Sequence, residues 1–419
     1  IRDRFECEGI AAFMFPQQSS SPVSLSPNRP NLVAILPGGG SEDPVLLVSH
    51  LDSVSCRPDE WIQPRLAEGR MLYGPGALDG IHLTVAHAMA IILLARRGDN
   101  AHRTVRFAAT SDGAGGKATG LNFLARENLE YISGDIALAW GGLNWNLPDG
   151  SPCSLLTTAE KGVLRMKLRS EGGGGGLGIG IGVEPAERLV KALHRIGSIK
   201  FKPVISKHSI ELAESTAELF EDPVIRSRIE GLADVLSVGD SLKELMSDEN
   251  LDKGLKALLK ACVSVERTVI RLDASAGDGQ KPRVAEAELV YCFPPGADAE
   301  EIAIGVLDTI GTDGVYLAEK SLREPSEGDI ENDIAAVARA AMVEIDPRAK
   351  LVRGISPFPT GFHCLRELGM SVCGWEPFAA VGSSLADVLE IRPGASEMIE
   401  MNDLMREVQA IYSFLCRIG

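Results

Sequence analysis

Pro44-Val-Leu-Leu-Val-Ser-His-Leu-Asp52 is the stretch that decides the fold. Pro44 to Ser49 is apolar without alternation, the pattern of a strand buried on both faces of a parallel sheet. It runs directly into His50-Leu51-Asp52, and open parallel sheets gather their chemistry at the carboxyl ends of strands. A His with a carboxylate two residues on is a common metal-ligand unit, because the second group fixes the imidazole tautomer. A structural hydrogen bond between the two is an equally ordinary reading.

Working outward, Asn31–Leu36, Thr104–Ala109 and Ile136–Ala139 read as further strands, and Ile81–Arg96 as a helix apolar nearly all round. A helix of that kind is buried against a sheet. Leu72-Tyr-Gly-Pro-Gly-Ala-Leu-Asp-Gly80 brings Asp79 to the start of this helix, where an Asp is either a cap or a ligand. Asp112-Gly-Ala-Gly-Gly116 makes a Gly-rich turn after the third strand. Strands alternating with helices predict an α/β unit, a mostly parallel sheet with helices on both faces.

The character changes at Glu160-Lys161-Gly162. Val163–Leu168 alternates like a half-exposed strand. Gly172–Gly182 reads as a loop, and Pro185–Ile196 as a helix opened by proline. Ser209–Val263 is helical and charged. Ala285–Phe293 alternates again, and Asp298–Ile310 is a helix with an acidic first turn. Glu331–Val343, the Gly369-capped segment Arg366–Cys373 and the closing helix Met401–Cys416 return to α/β character. The expected organisation is an α/β domain of residues 1–162 and 313–419, interrupted by an α+β insert, 163–312.

The 42 basic and 58 acidic residues leave a net charge of −16, which disfavours nucleic acid and anionic membranes as partners. The longest apolar run, Leu83–Ala95, is broken by His87 and is too short for a membrane span. Eight scattered cysteines without a CxxC pair point to free thiols in a reducing compartment. The expected location is the cytoplasm. Ile1 reads as lying inside a domain, with an upstream segment missing.

The spacing of Ser49–Val54, Trp61, Leu72–Gly80, Thr110–Gly116, Glu160–Gly162, Pro295-Gly296 and Arg366–Gly369 resembles the M20 family of metallopeptidases and aminoacylases. The long helical insert is similar to its carboxypeptidase-S-like, N-acyl-amino-acid hydrolase branch. The resemblance spans nearly the whole chain and implies a zinc-peptidase-like core with an inserted lid and dimerisation domain. It also implies roles: His50 and Asp79 as metal ligands, Asp52 orienting His50, Asp112 in the place of the catalytic Glu, and His363 in a substrate-binding segment.

Several family residues are replaced. Gly113, Trp140 and Pro393 stand where the resemblance implies ligands, and Gly172–Gly176 holds no lid histidine. In the segment Thr360–His363 the family's Asp is also absent. A catalytic zinc needs three protein ligands and an open position for water, so zinc bound in the family mode is not expected. Two readings follow. One is a non-catalytic binding or structural subunit. The other is an amidohydrolase acting on peptides or N-acyl amino acids, with zinc held by a rewired site drawing on His82, Asp112, Asp135, His363 or Glu397. Thiol chemistry at Cys364 beside His363 is a third, minor idea. The resemblance further implies a homodimer through the insert.

Overall fold

A computed structural model describes residues 1–16, 29–53, 63–78, 80–98, 102–113, 119–172, 184–274, 284–311, 314–328, 333–378, 384–390 and 397–418. At its centre four strands pair in parallel, in the order Val105–Thr110, Val45–His50, Ile136–Ala139 and Ser371–Gly374. Every residue of Val45–His50 is buried, as its unbroken apolar run requires. Antiparallel strands Pro30–Leu36 and Ala11–Pro16 extend one side of this sheet. On the other side Ser371–Gly374 meets Pro152–Glu160, which also pairs with Lys350–Ile355, Leu143–Asn146 and Ser326-Glu327. The long helix Ile81–Arg97 packs on Val45–His50 and against the closing helix Met401–Arg417. No described helix is long and apolar enough to cross a membrane.

A second, four-stranded antiparallel sheet has the order Glu266–Asp273, Val284–Phe293, Gly162–Glu171 and Val315–Arg323. Alternation along Gly162–Glu171 turns Leu164, Met166 and Leu168 into a core shared with helices Pro185–Gly197 and Ala299–Ile310. Asp298 caps the latter helix by accepting from the amides of Glu300 and Glu301. Val315–Arg323 thus completes this sheet although it lies beyond residue 312. The helices Lys207–Ala217 and Lys253–Val263 pack elsewhere, on Pro152–Glu160 and Lys350–Ile355 of the large sheet. The packing of the span 163–312 is therefore shared between the small sheet and the large one.

The two sheets meet where Pro152–Glu160 runs into Gly162–Glu171. Glu160 is buried, and its carboxylate accepts from Thr360 N and Oγ1, Gly361 N, Ser326 Oγ and Arg366 Nη1. Burial opposes its ionisation, but Arg366 and these donors outweigh that and hold its pKa below the ordinary value. Lys161 is fully buried too and donates to Ala261 O, Ser264 O and Glu266 Oε2. Removing one partner of a buried pair strands the other charge, at a cost of about 3–5 kcal/mol. Glu160→Ala is expected to lower unfolding free energy by about that much in urea titration, whereas Ser326→Ala, which removes one hydrogen bond, is expected to cost about 1 kcal/mol.

Candidate functional site

The carboxyl ends of the parallel strands converge as their topology dictates. His50 ends its strand, Ser111–Gly113 follow Val105–Thr110, Trp140 follows Ile136–Ala139, and Trp375-Glu376 follow Ser371–Gly374. The His50 imidazole is 2% exposed. Its Nδ1 lies 2.7 Å from the carbonyl oxygen of Asp52, an acceptor, so Nδ1 carries the proton. The lone-pair nitrogen of the neutral ring is then Nε2. The Asp52 carboxylate stands farther off, 3.5 Å from Nδ1, and accepts from Gly113 N at 2.8 Å. Main chain, rather than the expected carboxylate, thus makes the closer contact to the ring, and the carboxylate joins the strand end to the neighbouring turn.

Two glycines press on this imidazole. A Cβ on Gly80, which has φ +81°, would fall 2.1 Å from His50 Nε2. One on Gly113 would fall 2.4 Å from His50 Cβ. Only glycine lets the start of the long helix and the turn come so near. Trp140 covers the ring from a third side. Its indole meets His50 edge-on with centroids 5.0 Å apart, and meets Phe362 at 4.4 Å.

The other sequence-predicted residues are distributed as follows. Asp79 and Pro393 lie outside the described residues, as do Trp61 and the glycines 173–176. Asp112 is buried in the turn at φ +70°, a left-handed conformation that Asp tolerates better than most residues. His363 opens a short helix directly after Phe362, with Nδ1 buried and, among the described residues, without a hydrogen-bond partner. Burial holds its pKa below the ordinary value, with Arg323 adding to the effect and Glu160 opposing it. Glu397 Oε2 accepts from Leu78 N at 2.9 Å. Asp135 proves to be misplaced as a substitute ligand. It precedes its strand, at the amino edge beside Pro44, and binds Arg103 at 3.0 Å. Cys364 is buried and its thiol is pushed up to about 12, which removes thiolate chemistry at neutral pH.

Sequence reasoning weighed His82 as a substitute ligand but missed the buried cluster it forms in the first turn of the long helix. His82 Nε2 stands 3.6 Å from Glu376 Oε2 and 3.6 Å from Glu407 Oε1. Among the described residues the side chains of His82 and Glu407 have no hydrogen-bond partner, and both are almost wholly buried. A signal existed. Glu407 falls on the apolar stripe Leu404, Ile411 and Phe414 of the closing helix, where a core residue belongs.

Among the described residues, no group of three or more His, Cys, Asp or Glu side chains is placed to hold a metal ion. Gly113 and Trp140 carry no atom that ligates zinc.

Solved structures superpose on nearly the whole chain. The M20 family metallo-carboxypeptidase Sso-CP2 from Sulfolobus solfataricus has a TM-score of 0.69 at 15% identity, over 99% of this chain and 92% of that one. Human carnosine dipeptidase 1 also has a TM-score of 0.69, at 14% identity, over 99% and 88%. The Bacillus subtilis YXEP protein, a dinuclear metal-binding peptidase of the M20 family, has a TM-score of 0.53 at 13% identity, over 100% and 90%. The chain has the M20 peptidase-like fold. No family model matches the sequence, and no curated protein matches it. At such identities the M20 likeness speaks for architecture alone.

The buried cluster gives this M20-like fold a definite pH dependence. Burial alone would depress the His82 pKa, but Glu407, Glu376 and Glu397 outweigh it and raise it to about 9. Burial raises Glu407 to about 8 against the pull of His82, with Glu376 and Asp403 adding to the rise. The pair therefore keeps protons that the unfolded chain releases, and its contribution to stability is lost as pH rises. Burial pushes His87 and His208 down to about 3, so their contribution is lost as pH falls below 6.5. Stability is expected to peak near pH 6.5 and to fall most steeply from there to pH 8, by up to about 1.4 kcal/mol per pH unit for each proton. Urea midpoints from pH 4 to pH 9 test this, and Glu407→Gln is expected to flatten the alkaline limb.

Proposed function

We propose that this M20-like chain is a non-catalytic binding or structural protein that has lost the two-zinc hydrolase site. One observation carries the reading. Trp140, at the position the family resemblance gives to a ligand, lies edge-on against His50 and edge-to-face with Phe362, so an indole fills the space beside the histidine. Gly113 at a second ligand position supports it. The described donor set does not fit two zinc ions, since a two-metal site needs three protein ligands for each metal and a bridging group. An amidohydrolase acting on peptides or N-acyl amino acids through rewired zinc is the second reading. It is favoured by His50, whose tautomer keeps Nε2 as the lone-pair nitrogen.

Metal content after dialysis against excess zinc separates the two. The expected result is zinc no higher than in the buffer blank, with no release of amino acid from N-acyl amino acids or dipeptides. Stoichiometric zinc that disappears in His50→Ala would overturn the non-catalytic reading.

The chain is further proposed to form a homodimer through the small sheet. Glu266–Asp273 is an edge strand of that sheet, and Val269, Ile270 and Leu272 on it are 45%, 49% and 55% exposed. A long apolar edge is a template for pairing with another chain. Sedimentation velocity is expected to give a dimer, with Leu272→Asp shifting it toward monomer. A monomeric wild type would rule the dimer out. The described cysteines Cys7, Cys153, Cys262, Cys292, Cys364, Cys373 and Cys416 are all free, which supports a reducing compartment such as the cytoplasm.

A further inference from the structure

The helices Lys207–Ala217 and Ile334–Ile345 both pack on the strand Lys350–Ile355, and a cleft of about 290 Å³ opens between them. Its outline is fixed by the chain. Ser215 Oγ donates to Glu211 O at 2.6 Å and accepts from Arg353 N at 3.1 Å, which joins helix to strand. A Cβ on Gly354 would fall 2.6 Å from Leu212 Cβ, so only glycine lets the two approach so closely. In the large sheet this strand is separated from Val45–His50 by Ile136–Ala139, Ser371–Gly374 and Pro152–Glu160. At about 4.8 Å per step, that sets it roughly 19 Å from the strand of His50.

Among the described residues the lining separates by charge. On one wall Glu211, Glu214 and Glu218 stand at i, i+3 and i+7 of one helix and its C-cap, the spacing of a single face. The facing helix contributes Ala335, Ala336 and Arg339, and the strand contributes Arg353. Arg353 pairs with Glu211 at 2.7 Å. Glu211 is 7% exposed, and its Oε2 is buried without a hydrogen-bond partner among the described residues. Burial holds its pKa above the ordinary value, against the pull of Arg353 and with Glu214 adding to the rise. Glu214 and Glu218 are exposed and form no ion pair among the described residues. Like charges one turn apart destabilise a helix. These two sit in its last turn and C-cap, where the macrodipole is already negative. No basic residue in that turn relieves them. The helix end and its carboxylates both call for a cation that the described chain does not supply.

We infer that this cleft binds a linear aliphatic diamine. One ammonium would lie between Glu211 Oε2 and Glu214 and the other at Glu218, each with donors enough for more than one carboxylate oxygen. One helical turn sets successive carboxylates about 5.4 Å apart along the axis, a separation that a short methylene linker spans. The linker would lie on the methyl groups of Ala335 and Ala336. A divalent ion fits less well, since it needs oxygens that converge on one point. These are spread along a stripe, and no described group of side chains is placed to hold a metal ion. An anion fits less well too, because Arg353 is engaged by Glu211 and Arg339 donates to Leu351 O at 3.3 Å. The inference holds whether or not the site at His50 is catalytic.

Calorimetric titration of the full chain with 1,4-diaminobutane and with 1-aminobutane, at low salt, tests the inference. The diamine is expected to bind at least about ten-fold more tightly, because it makes charge-assisted contacts at both ends. Glu214→Gln and Glu218→Gln are each expected to weaken the diamine by about ten-fold. Both positions are exposed, so these variants keep the fold and the test valid. Arg339→Gln, which removes a repelling cation from the facing helix, is expected to strengthen binding. Glu221→Gln, at an exposed acid outside the described lining, is expected to leave it unchanged. An equal loss on Glu221→Gln would reduce the effect to general attraction by an acidic chain and overturn the assignment. So would equal binding of diamine and monoamine, unaltered binding by Glu218→Gln, weaker binding by Arg339→Gln, or no binding at millimolar concentration.

Discussion

A single buried carboxylate, that of Glu160, joins the two halves of this molecule. Ionised carboxylates are costly to dehydrate, and Glu160 is tolerable only because Arg366 and hydroxyl and amide donors from residues 326, 360 and 361 converge on it. The donors come from two pieces of chain, Ser326 and the segment Thr360–Arg366, so satisfying one charge fixes both against the strand Pro152–Glu160. Lys161 does the same in the other direction, tying the junction to the end of the helix Lys253–Val263 and to the edge strand through Glu266. Adjacent residues of opposite charge thereby fix the run of chain from the large sheet into the small one.

The same logic holds at the carboxyl edge of the parallel strands. A metal centre would hold its strand ends together through coordination bonds. Here those ends are held by other means: Asp52 to Gly113, Thr84 to the carbonyl of His50, Gly141 to Glu376, and the aromatic contacts of Trp140. Each is local to the carboxyl edge and needs no ion. The charge that remains nearby is gathered in His82, Glu376 and Glu407, where an imidazole stands between two carboxylates. Protonation within this cluster, favoured by burial of Glu407, does the neutralising that a buried carboxylate otherwise demands.

Much of the large sheet was legible because its strands are apolar on both faces. Val45–His50 and Ile136–Ala139 could be read from composition alone, and the helix Ile81–Arg97 from its lack of a polar face. Pro152–Glu160 escaped although it is buried throughout, because Ser154, Thr157 and Thr158 interrupt its apolar run. Those side chains find partners in the fold, as Thr157 does at Gly141 O and Thr158 at His208, which no linear pattern reveals. The M20 spacing made the strand-end residues visible, including the replacement at Trp140. It did not reveal Glu376 and Glu407, since the segments that bring them to His82 are distant in sequence. Asp135 failed for a related reason. Proximity to a strand does not say which end of it a residue occupies, and the amino edge is remote from the carboxyl edge where His50 stands.

The small sheet is subject to a constraint of its own. Its inner face is committed to packing by Leu164, Met166 and Leu168, so any recognition must fall on the alternate residues of the same strands. Those residues are held in register by ladders that extend across all four strands. The relative positions of Arg165 and Arg323 therefore depend on main-chain hydrogen bonds and on the Glu160 junction, rather than on the strand ends around His50. The strand ends around His50 and the exposed face of the small sheet are thus supported by different sheets and different networks, so a substitution at one leaves the geometry of the other in place.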